Sequence, residues 1–419
     1  MTPRAVAIVD GEHYPPVVRH ALGELPYTFV AAVLVGGKEK LRGEPEYGVP
    51  LCADLEEAIE RYRPQVVVDL SDEPVLGPAE RLALASRVLR RGLPYLGADF
   101  RFEPPPRAPF PLPSVAVVGT GKRVGKTAVT AHLARLLAAR HRVVVVAMGR
   151  GGPPEPERIA TPPTLEELVA RSRAGAHAAS DHLEVAALAG VETIGCRRCG
   201  GGLAGAVLDS NLSAGAALAL ELAPDVVIFD GSGAALPPVA AERTLVVVSG
   251  QQQPEVAAGY LNLYRLLLAD LVLVTMAEPG TGWERVAAAV ARAAPGVEVV
   301  PAVLRPRPAG DIRGRAVAFF CTAPPDAHAA LARHLEEAHG ARVTHVSGSL
   351  ADRARLAGEL ERVDADVFLV ELKAAAIDLV AEAGLERGVE VVLAASDVVA
   401  APGAGDLDEK LLHLARIPR

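Results

Sequence analysis

A chain of 419 residues that is 50% apolar and only 22% charged has more to bury than one ordinary core can hold, so two or three domains are expected and global disorder is excluded. Its formal net charge of −8 at pH 7, with no block of lysines or arginines, argues against a nucleic-acid partner while leaving room for local basic pockets. The four cysteines, Cys52, Cys196, Cys199 and Cys321, are too few for a disulfide scaffold, so a reducing, cytoplasmic setting is expected.

The first apolar run, AVAIV at 5–9, stops at Asp10 and reads as a strand, not a signal peptide. FVAAVLV (29–35) and VVVDL (66–70) read as further buried parallel strands, PYLGAD adds a short fourth, and helical spacing covers 54–62 and 79–90. Residues 1–101 are therefore expected to form a small α/β domain whose polar ligands collect beyond the carboxyl ends of the strands. Asp10, Glu12 and His13 lie there after the first strand, and Asp69, Asp72 and Glu73 after the third. One histidine among carboxylates specifies no metal; Asp10, Glu12 and His13 are candidates for substrate binding. The prolines of FEPPPRAPFPLP (102–113) remove backbone donors and restrict their neighbours, which predicts a stiff linker with a domain boundary inside it.

A strand–loop–helix pattern follows in SVAVVGTGKRVGKTAVTAHLARLL (114–137). Backbone N–H groups of such a turn and of the helix start can cradle phosphate oxygens, which makes Gly119, Thr120, Gly121, Lys122, Arg123, Val124, Gly125, Lys126 and Thr127 the expected nucleotide-binding residues. Lys126 can reach the terminal phosphates and Thr127 can ligate Mg2+. Thr120 stands where the G-x4-G-K-[ST] pattern usually has its first glycine. The expected fold of 114–312 is a P-loop NTPase core with a parallel sheet, its further strands being VVVVAM, VVIFDG, TLVVVSG and DLVLVTM. Even the apolar stretch LLLADLVLVTM is broken by Asp270, so no run reaches membrane-spanning length. Asp230, at the tip of VVIFD, is a candidate Mg2+ carboxylate, a turn or helix-cap aspartate being the alternative. Arg150, in MGRGGPPEPERI, sits in a loop that orders on a ligand or is merely solvated.

IGCRRCGGGLAG (194–205) allows two functional readings beside a purely structural one. Cys196 and Cys199 have metal or redox spacing but make only half of a zinc site, which the same pair from a second subunit would complete in a homodimer. Alternatively Arg197, Arg198 and the backbone of Gly200, Gly201 and Gly202 hold an anionic phosphate. The second reading is preferred because a planar guanidinium grips phosphate with paired donors. From 313 to 419 a further strand–helix series forms a C-terminal α/β region or an extension of the central domain, and continuous apolar strands favour parallel pairing throughout. Within it Lys373, in FLVELKAAAID, follows a strand and is a candidate to neutralise incoming phosphate charge; a solvated surface lysine is the alternative.

The segments VDGEHYPPV, GTGKRVGKT, IGCRRCGGG, FDGSG and VELKAAAID together resemble the ATP-dependent cyclic 2,3-diphosphoglycerate synthetases along nearly the whole chain. The loop is also similar to that of the dethiobiotin synthetase and cobyrinate amidase group, whose Gly-Thr start accounts for Thr120. The resemblance implies a ligase that joins the two phosphates of 2,3-bisphosphoglycerate into a cyclic anhydride while ATP becomes ADP and phosphate. It implies ATP and Mg2+, with K+ as an accompanying ion, and a small phosphorylated substrate with no nucleic-acid or membrane partner. In that reaction Lys126, Arg197 and Arg198 are the expected countercharges, and Thr127 and Asp230 the metal ligands. Two other classes stay open here: a P-loop kinase or ligase acting on another small acid, and a regulatory or metal-insertion nucleotidase.

Overall fold

The computed structural model describes residues 2–37, 39, 41, 43, 45–175, 180–372 and 377–415. They gather into two compact units, and the chain passes from the first to the second between Pro105 and Pro106.

The first unit carries a six-stranded sheet in the order Leu51–Cys52, Thr28–Leu34, Arg4–Val9, Val66–Asp69, Tyr95–Leu96, Arg101–Phe102. All pairs are parallel except the last. Arg4–Val9 and Val66–Asp69 are buried almost throughout, which is why their apolar runs are unbroken. A helix over Pro15–Glu24 lies where sequence periodicity gave no signal; its two leading prolines occupy first-turn positions, where a missing N–H costs nothing. Residues 253–268 and 292–295 also belong to this unit, although the sequence places them with the phosphate-loop region. Ser86 Oγ donates to the carbonyl of Tyr260 at 3.1 Å and Arg90 Nε to that of Leu267 at 2.6 Å.

The second unit is built on one 13-stranded mixed sheet. Its main path runs Glu157–Ile159, Glu192–Cys199, Val143–Gly149, Val226–Asp230, Ser114–Gly119, Arg243–Ser249, Leu271–Thr275, Glu298–Pro308, Glu390–Ala400, Val367–Glu371, Ala316–Phe320, Arg342–Ser347. Alternation along the central strands sends Val115, Val117, Val145 and Ile228 into one core and Val144, Val146, Val227 and Phe229 into another, so both faces are covered. The all-parallel expectation is corrected in three places, the first being the antiparallel pairing of Asp209–Ser210 with Glu192–Cys199. Glu157–Ile159 pairs antiparallel with Glu192–Cys199, and Glu298–Pro308 with Glu390–Ala400. The stiff linker expected over 102–113 holds the boundary between the units and is anchored on both sides, since Arg101–Phe102 pairs with Tyr95–Leu96 in the first unit and Ala108–Pro109 with Val239–Ala240 in the second.

The antiparallel junction of the two long strands positions the site. Residues 298–301 pair parallel with Leu271–Val274, after which the strand runs on past the carboxyl end of the central sheet. Residues 390–394 likewise pair parallel with Val367–Glu371 before continuing. The two overhangs then pair with each other, from Ala302↔Ala400 to Pro308↔Ala394. Two groups of parallel strands thus point their carboxyl ends at each other across an overlap roughly 20 Å long at about 3.4 Å per residue.

Candidate functional site

Between these facing rims lies a cleft of about 840 Å³ lined by both halves of the sheet. On the central rim the loop after Ser114–Gly119 is set by close approach. A Cβ on Gly119 would stand 2.8 Å from the carbonyl oxygen of Gly233 and 2.9 Å from Val124 Cγ2, so only glycine fits. Gly125, at φ +80°, turns the chain into the helix Lys126–Ala138 and supplies no side-chain cap. The first-turn amides of that helix are thus left to other partners, as anion sites require. Arg123 also has positive φ, an uncommon conformation for a residue with a side chain. Gly121 through Thr127 line the cleft, whereas Gly119 and Thr120 do not. Thr120 is buried; its N–H donates to the Val247 carbonyl at 3.0 Å, and its hydroxyl to Gln252 Oε1 at 2.7 Å. That tether under the loop is what the threonine offers in place of glycine.

Lys126 Nζ reaches Asp230 Oδ1 at 2.6 Å, and Thr130 Oγ1 donates to the same oxygen at 2.6 Å. Asp230 is fully buried and its Oδ2 has no hydrogen-bond partner. Burial pushes its carboxyl above the usual range, against the pull of Lys126 and Thr130. Asp181, which opens the helix Asp181–Ala189, places Oδ1 3.5 Å from Thr127 Oγ1. Sequence reasoning missed it, because an acid in a first helical turn is ordinary. Thr127 and Asp181 line the cleft, and the Asp181 charge adds to the upward push on the Asp230 carboxyl; hydroxyl and carboxylate oxygens are the donors a hard divalent cation takes.

Arg150 and Lys122 close the same rim. A Cβ on Gly233 would lie 3.4 Å from Arg150 Nη2 and 3.9 Å from Lys122 Cγ. Behind them Arg198 donates to the carbonyls of Gly200 at 2.9 Å and Ser232 at 3.1 Å, and its Nε is buried without a partner. Burial and the nearby Arg150 charge both lower the Arg198 pKa. Strand alternation separates the two arginines expected to act together. Arg197 is exposed and its nearest acid is Asp209, at 3.9 Å. Gly200, at φ +70°, and Gly201 shape the turn around Arg198. The cysteine pair is split in the same way: Cys196 is buried, its thiol pushed up to about 12 by burial, whereas Cys199 is exposed. One chain therefore cannot offer both to one metal. Among the described residues no group of three or more His, Cys, Asp or Glu side chains is placed to hold a metal ion.

On the opposite rim the sequence marked only the segment of Lys373. That rim brings Thr322, Ala323, Pro324 and Pro325, Ser349, Asp352, Arg355 and Glu371 to the cleft. Glu371 accepts from the Thr322 N–H and hydroxyl, each at 3.1 Å. Lys373 lies outside the described residues.

In the first unit Asp10 is buried and its carboxylate is already engaged. Oδ1 accepts from the N–H groups of Glu12 and His13 and meets His13 Nδ1 at 2.8 Å, while Oδ2 accepts from Asp72 N–H at 2.7 Å. Asp69 accepts from Ser71 and Tyr95 and forms an ion pair with Arg81. Asp10 and Asp69 thus fasten loops to the sheet, whereas Glu12 is exposed and His13 half-buried.

The geometry thus defines an α/β protein with a cationic loop and a buried lysine–carboxylate pair at the carboxyl edge of its sheet. The chain matches the N-terminal, P-loop and C-terminal domains of cyclic 2,3-diphosphoglycerate synthetase over residues 4–103, 114–303 and 308–397. It is 48% identical to the cyclic 2,3-diphosphoglycerate synthetase of Rubrobacter xylanophilus, covering 99% of this chain and 97% of that protein. It is 44% identical to that of Thermococcus gammatolerans, covering 98% and 97%. Among solved structures, a DUF1611 family protein from Anabaena variabilis aligns at 15% identity and a TM-score of 0.24, covering 71% and 94%, too slight a likeness to bear on the fold. The chain belongs to the cyclic 2,3-diphosphoglycerate synthetase family.

Proposed function

We propose that the chain is an ATP-dependent ligase that closes 2,3-bisphosphoglycerate into cyclic 2,3-diphosphoglycerate, releasing ADP and phosphate, and that its central region is a P-loop NTPase core. Family membership along 99% of the chain supports the reaction. The structural observation that carries it is a single cleft in which Gly121–Thr127 and Arg150 face one space. One substrate phosphate oxygen attacks the γ-phosphorus of ATP and ADP leaves, giving a transient pyrophosphate on the substrate. The second substrate phosphate then attacks the inner phosphorus of that pyrophosphate, closes the ring and expels inorganic phosphate.

Both partners are anions, so repulsion between them is the central obstacle. Lys126 and the loop amides bind the ATP phosphates, while Arg150, Lys122 and Arg198 form the basic cluster that receives the substrate. The tethered second phosphate gains from proximity, so holding the substrate folded matters more than a strong base. Thr127, Asp181 and Asp230 would hold Mg2+, which when bound screens the charge shared by the ATP phosphates. The test is phosphorus NMR of the purified chain with ATP, Mg2+, K+ and 2,3-bisphosphoglycerate. Cyclic anhydride resonances growing in step with ADP are expected; ADP formed with no cyclised glycerate overturns the proposal.

A further inference from the structure

We infer that the C-terminal rim of the cleft is the nucleoside half of the ATP site, taking the purine against Ala323, Pro324, Pro325 and Leu331 and the ribose hydroxyls at Asp352 and Glu371. The inference rests on the ATP-dependent reading above and assigns a task to the C-terminal region. Its first support is charge. The central rim presents four cations, Lys122, Arg123, Lys126 and Arg150, against two acids, Asp181 and Glu278, whereas among the described residues the opposite rim presents two acids, Asp352 and Glu371, against one arginine, Arg355. That arginine is paired with Glu359 at 3.1 Å. A nucleoside triphosphate has the same asymmetry, with its charge at one end and an uncharged aromatic system at the other. A bisphosphorylated acid is charged at both ends and would meet carboxylates there.

The second support is surface chemistry. Ala323, Pro324 and Pro325 lie in a strand-to-helix connection and Leu331 in the helix His328–His339 that follows, and Leu304 and the buried Phe319 line the same cleft. Apolar walls with a few polar groups are what a small-molecule site requires. The connection is fixed in advance. Its prolines restrict the backbone, Thr322 donates to Glu371 twice, and His328 Nε2–H donates to the Ala323 carbonyl at 3.1 Å. Carboxylates are established acceptors for ribose hydroxyls, and both here stand beside that apolar wall. The third support is span, since the rims face each other across roughly 20 Å of strand overlap, room for an extended nucleotide.

Two measurements on the full chain decide the matter. Photolabelling with 8-azidoadenosine triphosphate is expected to mark residues within 319–331, and a label confined to any other segment overturns the inference. Calorimetry compares ADP with inorganic tripolyphosphate on the variant Leu331→Arg. ADP binding is expected to weaken by about tenfold or more, as for loss of one buried apolar contact, while tripolyphosphate binding persists and shows that the variant is folded. Equal weakening of both probes, or of neither, overturns it. Failure of the unaltered chain to bind ATP and tripolyphosphate would instead remove the reading on which the inference rests.

Discussion

Lys126 Nζ and Thr130 Oγ1 converge on one oxygen of Asp230, each at 2.6 Å, although the three residues come from two different elements. The lysine is thereby held at the strand tip before any phosphate arrives, and an incoming anion competes with a buried carboxylate for it. Removing one member of such a pair strands the other charge, at a cost of about 3–5 kcal/mol. Lys126→Ala and Asp230→Ala are therefore both expected to lower the melting temperature. Lys126→Ala is also expected to slow single-turnover ADP formation by about 10²–10³-fold. Full turnover in folded Asp230→Ala would remove the metal assignment.

Asp181 allows the proposed metal site to be tested apart from folding, because its hydrogen bond to Thr127 is long at 3.5 Å. Asp181→Asn is expected to raise the Mg2+ concentration for half-maximal turnover by roughly tenfold, with little change in melting temperature. A Mg2+ titration identical to that of the unaltered chain would exclude Asp181 from the metal's ligands.

The two neighbouring arginines are expected to behave differently. Arg150→Ala and Arg198→Ala should each raise KM for 2,3-bisphosphoglycerate by about 10–100-fold, as loss of a charged hydrogen bond does. Arg197→Ala should stay within about twofold, since its ion pair is exposed and long. A similar effect from all three would place Arg197 in the site after all.

Glu359 supplies a pH test. Burial favours its neutral form, but hydrogen bonds from Ser347, Ser349, His345 and Arg355 outweigh this and hold its pKa at about 2, against an ordinary 4.5. A carboxyl depressed on folding stabilises the native state above its unfolded pKa, and that stabilisation fades as pH falls from about 4.5 towards 2. Glu359→Gln is expected to melt lower than the unaltered chain at pH 7, with the gap closing across that acid window. A gap that is constant with pH would show that Glu359 does not titrate as described.

Much of this could be read from the residues, because unbroken apolar strands and a glycine-rich turn are local signals. The strand ending at Asp230 and the helix beginning at Lys126 fall where periodicity puts them. The strand Glu298–Pro308 was hidden by Pro301, Pro306 and Pro308, each of which gives up a ladder donor. Glu192–Cys199 was masked by its own motif, and once it is known to be a strand, alternation separates Arg197 from Arg198 and Cys196 from Cys199. The second rim is a consequence of strand order, which no local pattern encodes. Asp181 acquires meaning only when the fold brings Thr127 to it.

The splice of the two long strands also limits how the enzyme can work. Many nucleotide enzymes admit and release their ligands by swinging one domain away from another about a few loop residues. Here the cleft walls are continuous with a single hydrogen-bonded ladder, from Ala302↔Ala400 to Pro308↔Ala394, and such a swing would have to tear it. Within the second unit, movement about the cleft is left to the connections at its rims, such as 149–152 and 321–325, while the ladder keeps the two halves of the sheet joined.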